Sequence, residues 1–447
     1  MNPWIIKKIL FPLHEALSRR KTFKFLDELE KVQNYTEAEV SSYQLNKLKK
    51  LLIHSYKNVP YYSDVFIKAN FNPSKIKGLS DLEKLPFLSK RKIKGNIEGL
   101  KAENLKNELI RLNTGGSSGE PLIFYIDRLR QAYDKAANLR SRRWWGVDVG
   151  EREIVFWGSP IELTSQDKLK ELRDVLFNTK LLSAFEMSDD VMFRYFKIIK
   201  KFKPKHIFGY PSSICLFAEF VKKNNLKIND VGIKAIFVTS EMLYDFQRKT
   251  IEDVFGCLVA NGYGGRDGGF IAHQCPNGNM HITEDIIVEI VDENGNVLND
   301  GETGEIVVTH LDAYAMPFIR YQMGDRGCVS REKCSCGMQS KILEKIEGRT
   351  TDFIVAPNGK KMHALSLIYV LRDLDGVESF KIVQERVDYL KISIVKNDKF
   401  TDEIEGLVKE KIVQRMESNV TIDVAFVSEI LPEKNGKYRY VVSKVKA

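Results

Sequence analysis

Five short segments carry residue types that suit the chemistry of a nucleotide and a metal ion. The first, Thr114 to Pro121, holds three glycines and three hydroxyl side chains, so its backbone N–H groups and hydroxyls can approach phosphate oxygens closely. It lacks the order G-x-x-x-x-G-K-[ST] and is therefore not a P-loop. The other four segments follow in chain order: 261–269, 321–326, 348–352 and 432–439.

Two of these segments place a carboxylate beside glycines. Asp267 lies in a glycine-rich stretch directly after a buried-strand pattern, where α/β folds bind ligands, and its carboxylate could hold magnesium. Asp325 follows the turn glycine Gly324 and could accept both hydroxyls of a ribose. Taken singly, each segment has a plain alternative: a connecting loop for 114–121, a glycine turn with a solvated Asp for 261–269, and solvent-facing Lys and Arg for 348–352 and 432–439.

Four further residues form a metal-ligand set: Cys275, His281, Cys334 and Cys336. Three thiolates and one imidazole make a tetrahedral zinc set, and four protein ligands leave no open position, so the site would be structural. Free thiols are the alternative, and His273 is a rival ligand. Cys215, Cys257 and Cys328 lie in apolar surroundings and are predicted to be core residues.

The composition predicts a folded protein of at least two compact units with an anionic partner. The chain has 447 residues, 43% hydrophobic and 29% charged, with a formal net charge of +9. These values exclude a single small module and global disorder. We find no apolar run of the roughly 18 residues that a membrane-spanning helix needs, and no secretory signal, so we expect a cytoplasmic protein.

The elements that must position these residues change along the chain. Residues 1–100 read as helical and surface-coating, and residues 105–345 alternate short β-branched or aromatic runs with helical stretches, which predicts α/β layering. Residues 281–311 read as antiparallel hairpins. After Gly348 the pattern restarts as a compact α+β unit that contains a hairpin, three strands and an amphipathic helix opened by Thr401 or Asp402.

The first 22 residues combine apolar side chains with Lys7, Lys8, Arg19, Arg20 and Lys21. They could rest on an anionic membrane surface. A helix that covers the core or a dimer partner is the favoured alternative, because a proline interrupts the stretch. A homodimer is therefore compatible with the sequence.

The five segments, in this order and at these separations, resemble the motifs of the adenylate-forming (acyl-CoA synthetase) superfamily. Within it they resemble the phenylacetate-CoA ligase branch, which includes capsular-polysaccharide-associated ligase-like proteins. The resemblance covers nearly the whole chain. It implies an α/β fold with a large multi-sheet N-terminal adenylation domain over 1–347 and a small mobile α+β C-terminal domain over 348–447.

The resemblance also implies a reaction and its cofactors. A carboxylic acid would react with ATP to give an acyl-adenylate, with release of pyrophosphate, and the acyl group would then pass to coenzyme A with release of AMP. ATP and magnesium would be required. The four zinc-ligand residues also agree with the resemblance, since zinc sites at matching positions occur in this branch.

Carried over position by position, the resemblance gives the motif residues their roles. The phosphate loop would be formed by Thr114, Gly115, Gly116, Ser117, Ser118 and Gly119. Ser240, Glu241, Tyr263 and Gly264 would lie around the adenine, with Tyr263 also beside the acyl pocket that Tyr210–Ser213 would line. Asp267 would bind magnesium, Asp325 the ribose, and Arg349 the ribose and phosphate. Asp352 would be the hinge pivot, and Lys437 would reach the carboxylate and the α-phosphate.

Three departures from the family pattern bear on activity and acceptor. Glu120 stands where many relatives have Lys, Asp267 replaces the commoner Glu, and 358–364 replaces a Gly-Val-Asn-Val-Phe-Pro-like loop of typical coenzyme A ligases. Because of the last departure, a second acceptor of the acyl group stays an alternative to coenzyme A: an amine such as an amino sugar in surface-polysaccharide biosynthesis. A non-catalytic basic protein that binds anionic lipid or nucleic acid is the alternative from another class. Acidic residues interspersed among the basic ones argue against a nucleic-acid partner.

Overall fold

The computed structural model divides the chain into two compact units, Met1–Ile346 and Glu347–Ala447. The structure describes residues 1–114, 122–157, 173–184, 187, 189–330, 332–349, 353–359, 361–363, 365–372, 374–416, 418–431 and 439–445. The predicted loop residues Gly115–Gly119 and Glu120, the pivot Asp352 and the lysine Lys437 therefore lie outside the described residues.

Helices dominate the first hundred residues, as their periodicity predicts. They are α1 (Pro3–Ile5), a π turn (Ile6–Leu10), α2 (Phe11–Leu17), α3 (Thr22–Val32), α4 (Glu37–Asn58), α5 (Pro60–Lys68) and α6 (Lys90–Gly95), with 3-10 turns at Pro73–Lys75, Leu79–Lys84 and Glu103–Glu108. A capping box between Thr36 and Glu39 begins α4. Leu48, Leu51 and Leu52 of that helix are fully buried, so this part of the chain contributes to the core as well as to the surface.

A seven-stranded mixed sheet forms the centre of the first unit, in the order β4-β3-β5-β6-β7-β8-β9. Its strands are β3 (Glu153–Trp157), β4 (Thr179–Ser183), β5 (His206–Gly209), β6 (Ala235–Thr239), β7 (Leu258–Gly265), β8 (Gly269–Gln274) and β9 (Met280–Ile282). Strands β3 to β7 pair in parallel, whereas β8 and β9 are antiparallel. The intervening helices are α7 (Arg128–Arg143), α8 (Asp189–Phe202), α9 (Pro211–Lys223) and α10 (Asp245–Phe255).

An antiparallel hairpin precedes this sheet in the sequence, and an antiparallel four-stranded sheet follows it. The hairpin of β1 (Ile110–Asn113) and β2 (Ile123–Ile126) encloses the predicted phosphate loop. A four-stranded sheet has the order β10-β11-β12-β13, with bounds Ile286–Val291, Thr303–His310, Tyr321–Val329 and Leu343–Arg349. The pairing of β10 with β11 confirms the hairpin predicted between 281 and 311.

The second unit is an α+β fold. A hairpin of β14 (Phe353–Val355) and β15 (Lys361–His363) is followed by α11 (Leu365–Arg372). A four-stranded sheet has the order β18-β17-β16-β19, from β16 (Val377–Arg386), β17 (Tyr389–Lys396), β18 (Thr421–Phe426) and β19 (Val441–Ser443), and α12 spans Asp402–Met416. Val408, Ile412 and Met416 bury one face of α12.

The predicted α/β class is confirmed by these mixed sheets. Among the described residues, we find no helix that has both the length and the apolar character needed to cross a membrane.

Candidate functional site

The carboxyl ends of β5, β6 and β7 meet at one edge of the mixed sheet, because these strands are parallel neighbours. Ser240 follows the last residue of β6 and has a φ of 73°, a left-handed conformation that is uncommon for residues other than glycine and often marks functional sites. The next residue, Glu241, accepts a hydrogen bond through Oε2 from the backbone N–H of Ser212 at 3.2 Å. The predicted adenine segment therefore lies at this edge.

Tyr263, near the end of β7, connects the mixed sheet to the antiparallel sheet. Its hydroxyl donates a hydrogen bond to Oδ2 of Asp325 on β12, at 2.8 Å. Gly264 follows in a very close approach to β8, where an added Cβ would lie 2.3 Å from the carbonyl oxygen of Gly269. Only glycine fits there, so this close pairing of β7 with β8 fixes the backbone next to Tyr263. Two segments predicted separately thus form one site.

Asp267 lies in the turn between β7 and β8 and is 7% exposed. Its Oδ2 accepts a hydrogen bond from the hydroxyl of Tyr321 at 2.7 Å. Below the turn, the guanidinium of the fully buried Arg130 donates to the backbone oxygens of Arg266 at 3.1 Å and Asp267 at 2.5 Å. The ring of Phe318 lies 5.3 Å from this guanidinium. These contacts fix the position of the Asp267 carboxylate.

Thr114 closes the base of the predicted phosphate loop. Its backbone N–H donates to the carbonyl of Leu122 at 3.0 Å, and its Oγ1 accepts from the N–H of Leu122 at 3.0 Å. Arg266 donates to the carbonyl of Asn113 at 3.4 Å. The ends of the loop therefore lie beside the turn that carries Asp267.

A narrow cavity of about 20 Å³ lies behind the strand ends. Its walls come from β5 to β8 and from α7, and they include Phe208, Phe237, Thr239, Gly262, Phe270, Asn138, Ser141 and His273. Burial, together with Arg140 and Arg142, lowers the pKa of His273 to about 3, so its ring is neutral at pH 7. Among the described residues, no hydrogen bond engages this ring.

The four predicted metal ligands come together although they lie on different elements. Cys275 follows β8, His281 lies in β9, and Cys334 and Cys336 lie between β12 and β13; their ligand atoms all fall within 4.8 Å of one another. The Sγ atoms of Cys275 and Cys334 are 3.7 Å apart. Two sulfurs on tetrahedral zinc at bonds of about 2.3 Å are separated by roughly 3.8 Å, so the donor set fits that ion. His273 is not part of this group.

Neighbouring groups favour the metal-binding form of two of the four ligands, His281 and Cys334, whereas burial raises the pKa of the Cys275 and Cys336 thiols. Nδ1 of His281 lies 3.0 Å from Oγ of Ser340, while Nε2 faces Sγ of Cys336 at 3.2 Å. Burial lowers the pKa of His281 to about 4, which keeps the ring neutral. The amide of Asn279 donates to Sγ of Cys334 at 3.2 Å, which favours the thiolate.

Comparison with known proteins identifies relatives of both units. The CapK C-terminal domain family matches residues 354–444. Protein CapK of Staphylococcus aureus is 26% identical over 440 residues, which are 96% of this chain and 94% of CapK. The phenylacetate-coenzyme A ligase of Thermus thermophilus is 25% identical over 384 residues, 83% and 85% of the two chains.

A solved structure has the same fold. A 2-hydroxyisobutyryl-CoA ligase in the postadenylation state, in complex with R3-HIB-AMP, superimposes with a TM-score of 0.75 at 19% identity, over 93% of this chain and 92% of that one. The chain has the adenylate-forming ligase fold and is a homologue of CapK and the phenylacetate-CoA ligases. The family resemblance drawn from the motifs is therefore confirmed.

The motif residues of this CapK homologue divide between the two units. Thr114, Ser240, Glu241, Tyr263, Gly264, Asp267 and Asp325 belong to the first unit, where the contacts above join them. Arg349 ends β13 and belongs to the second unit, as do Asp352 and Lys437. Their roles in the reaction stay predictions.

Several features of the site were not predicted from the sequence. Arg130 was not predicted as a site residue, because an arginine in a charged helix normally faces solvent. Tyr321 belongs to the same motif as Asp325, but its hydrogen bond to Asp267 was not predicted. Tyr210, in the segment predicted to line the acyl pocket, stacks on Trp157 with ring centroids 4.2 Å apart, and the role of Tyr210–Ser213 stays a prediction. Of the three predicted core cysteines, Cys215 and Cys328 are buried, whereas Cys257 is only partly buried.

Proposed function

We propose that this protein activates a carboxylic acid with ATP and transfers the acyl group to coenzyme A. In the first step a carboxylate oxygen attacks the α-phosphorus of ATP, and the bond to the β-phosphate bridging oxygen breaks, releasing pyrophosphate. In the second step the thiol sulfur attacks the acyl carbon, AMP leaves with the bonding electrons, and the thiol proton is lost. The observation that carries this proposal is the Tyr263–Asp325 hydrogen bond, which joins the predicted adenine and ribose segments into one site.

Each residue of the site has a task in this reaction. Asp325 would accept the ribose hydroxyls, with Tyr263 fixing its carboxylate. The loop that begins at Thr114 would donate hydrogen bonds to the β- and γ-phosphates from a base beside the Asp267 turn. Magnesium, which is bound in proteins by one or two carboxylates together with substrate phosphates, would neutralise charge on ATP. Asp267 would supply that carboxylate, because Tyr321 fixes its orientation through Oδ2 and, in the described part of the chain, Oδ1 accepts no hydrogen bond.

The second unit would complete the site through movement. Lys437 would approach the carboxylate and α-phosphate in the first step, and rotation about Asp352 would withdraw it before the acceptor arrives. Arg349 would contact the ribose and phosphate from the hinge. The resemblance to the family supports these assignments, together with the match of 354–444 to the CapK C-terminal domain.

The cavity behind the strand ends favours a small acid that carries a hydrogen-bonding group. Its volume of about 20 Å³ holds little more than one water molecule. Phe208 and Phe237 restrict it, while Asn138, Ser141 and the neutral ring of His273 offer polar contacts. A single methyl or hydroxyl group at the end of a short acid would fit this cavity, and the hydroxyl could bond to Asn138 or Ser141, whereas the chain of a fatty acid would not fit.

A second acceptor is supported by the C-terminal unit. Its family is that of CapK, and 358–364 departs from the loop of typical coenzyme A ligases. We therefore keep an acid–amine ligase, with an amino sugar of surface-polysaccharide biosynthesis as the amine, as the second candidate. None of the six cysteines forms a disulfide, which supports a reducing, cytoplasmic location for either reaction.

We also propose that Cys275, His281, Cys334 and Cys336 hold a structural zinc ion. Four protein donors leave no position for a substrate, so the ion would bind the β8–β9 turn to the segment before β13 and take no part in catalysis. Metal analysis of the purified protein would give about one zinc per chain.

The experiment that tests the proposed function is acid-dependent exchange of labelled pyrophosphate into ATP, screened over aromatic, fatty, hydroxy and amino acids. The best acid is then supplied with ATP and either coenzyme A or amino sugars, and the thioester and amide products are measured. Exchange with thioester formation supports the first candidate, exchange with amide formation supports the second, and no exchange with any acid contradicts both.

A further inference from the structure

Six large apolar side chains lie exposed along the first seventeen residues. The set consists of Met1, Trp4, Ile5, Ile9, Leu13 and Leu17. Leu17 is 78% exposed and Trp4 is 61% exposed, so these side chains do not belong to the core of the protein. We call this set the outer stripe. Its spacing, burial and charge define a surface that the proposed reaction does not use.

Helix geometry places the outer stripe on one side. Five of its members are four residues apart, and in a regular α-helix each such step advances by about 40° around the axis. The π turn over Ile6–Leu10 carries more residues per turn and so reduces this drift in the middle of the stretch. The stripe therefore stays on one face for roughly 24 Å, at about 1.5 Å per residue.

The opposite face of the same helix is attached to the first unit. Ile6 is fully buried and contacts Gly150, where an added Cβ would lie 2.9 Å from the Ile6 Cβ. Phe11 packs on Phe23 with ring centroids 4.8 Å apart. Asn178 exchanges hydrogen bonds with the backbone of Met1 at 2.8 and 2.9 Å, and Lys7 forms an ion pair with Asp148. These contacts fix which side of the helix faces outward.

The charge around the outer stripe identifies the chemistry of its partner. Residues 1–24 contain six Lys and Arg and one Glu. That carboxylate, Glu15, is buried and pairs with Arg20 at 3.0 Å, so it does not offset the surface charge. Four basic residues are exposed and form no ion pair within the described part of the chain: Lys8, Arg19, Lys21 and Lys24.

A second copy of this chain is a poor occupant for such a surface. In a two-fold symmetric contact the same patch meets itself, so the basic residues of the two copies would face one another. An anionic lipid surface, by contrast, accepts apolar side chains below its headgroups and basic side chains at them. Trp4 at one end of the stripe suits this boundary, where tryptophan is enriched.

We propose that this helix docks the protein in the plane of an anionic membrane surface, with the outer stripe inserted and Lys8, Arg19, Lys21 and Lys24 at the headgroups. The protein is held there peripherally, and attraction to anionic lipid sets the strength of the contact. The inference does not depend on the proposed reaction, because none of its residues belongs to the nucleotide site.

The test is co-sedimentation of the full chain with vesicles of phosphatidylcholine alone and of phosphatidylcholine mixed with phosphatidylglycerol. We expect binding to the mixed vesicles that falls as salt is raised, and weak binding to the neutral ones. The triple variant Trp4→Ser, Ile9→Ser, Leu17→Ser should lose about tenfold or more of the binding, because inserted apolar area is removed. The variant Lys8→Glu, Lys21→Glu should lose binding to the mixed vesicles with its apolar stripe intact.

The matched control is Ile67→Ser, Lys68→Glu on α5, where Ile67 is an exposed apolar residue beside an exposed lysine. It should bind vesicles as the unmodified chain does. Absence of binding to mixed vesicles overturns the proposal. So does a dimer in size-exclusion chromatography that Leu17→Ser converts to monomers, since the stripe would then be an interface between copies. If the triple variant fails to fold, the charge variant and the salt titration decide.

Discussion

The hydroxyl of Tyr263 lies 2.8 Å from Oδ2 of Asp325, and this hydrogen bond joins strands of two different sheets. Tyr263 is near the end of β7 in the mixed sheet, and Asp325 lies on β12 in the antiparallel sheet. A carboxylate held in this way keeps one orientation before a nucleotide arrives. The proposed ribose contact is therefore preorganised by a residue outside the ribose motif.

Tyr263→Phe should raise the KM for ATP by roughly tenfold, because a hydrogen bond to a charged group contributes about 1.5–3 kcal/mol. The ring stays in place, so kcat should change less. The measurement is acid-dependent pyrophosphate exchange at varied ATP concentration.

The control for this substitution is Tyr389→Phe, which removes a similar Tyr–Asp hydrogen bond, 3.1 Å long, to Asp423 in the second unit. It should leave the KM for ATP unchanged. An unchanged KM in Tyr263→Phe, or equal effects of both substitutions, would show that the Tyr263–Asp325 contact does not serve ATP binding.

Phe237→Ala should shift the preference of the enzyme toward longer acids, because Phe237 restricts a cavity of about 20 Å³. We expect the ratio of kcat/KM values for a longer over a shorter acid to rise about tenfold or more, since one methylene in a hydrophobic pocket is worth about 1–3 kcal/mol. Phe193→Ala, on the exposed surface of α8, is the control. The same acid preference in both variants would place the acyl group elsewhere.

The sequence predicted those parts of the site that depend on local order along the chain. The glycines around Tyr263 and the strand pattern before them indicated a loop at a strand end, since backbone requirements of this kind act over a few residues. The turn lies at 266–268, whereas Gly262, Gly264 and Gly265 belong to β7. The Cys and His spacing likewise predicted a cluster that the structure forms. Two of the ligands lie far apart in sequence from the other two, but Cys and His are residue types that bind one zinc ion together, so the set could be recognised.

What the sequence did not show depends on tertiary contacts between residues of unrelated segments. Arg130 donates to backbone carbonyls more than a hundred residues away, and a backbone acceptor has no signature in the side-chain sequence. The Tyr321–Asp267 contact joins two motifs whose separation in space cannot be read from their spacing. The short strand β19 was also missed, because three residues carry too little alternation to be recognised.

Ser340→Ala should weaken zinc binding by about 10–100-fold, because the hydroxyl near Nδ1 of His281 orients the ring toward the metal. Zinc retention during titration with a chelator measures this effect. Ser335→Ala is the matched control, since Ser335 lies between two of the ligands but its hydroxyl contacts Asn277. Equal retention in the two variants would exclude an orienting role for Ser340.

Asp312 should make the stability of the protein depend on pH. Burial raises the pKa of this carboxyl to about 7, which outweighs the ammonium of Lys47 at 2.7 Å, and Asp285 adds to the rise. Between the ordinary value of 3.8 and pH 7 the native chain keeps a proton that the unfolded chain has lost. The contribution to stability is therefore full at low pH and is lost as pH rises toward 7.

Asp312→Asn removes the titratable carboxyl, so the variant is the reference that lacks this pH-dependent contribution. The free energy of unfolding of the unmodified chain, relative to the variant, should fall by about 2 kcal/mol between pH 5 and pH 7, as urea titrations would measure. A difference that is constant over this range would mean that Asp312 is already ionised in the native protein at pH 5.

The central claim is that the protein forms an acyl-adenylate, and acid-dependent exchange of labelled pyrophosphate into ATP tests it most directly. We predict exchange with at least one short hydroxy acid. We further predict that Lys437→Ala suppresses exchange far more than acyl transfer from a preformed adenylate, while Lys434→Ala alters neither. If the unmodified protein exchanges no pyrophosphate with any aromatic, fatty, hydroxy or amino acid, the claim is contradicted. If Lys437→Ala loses both half-reactions equally, the role of that lysine is contradicted.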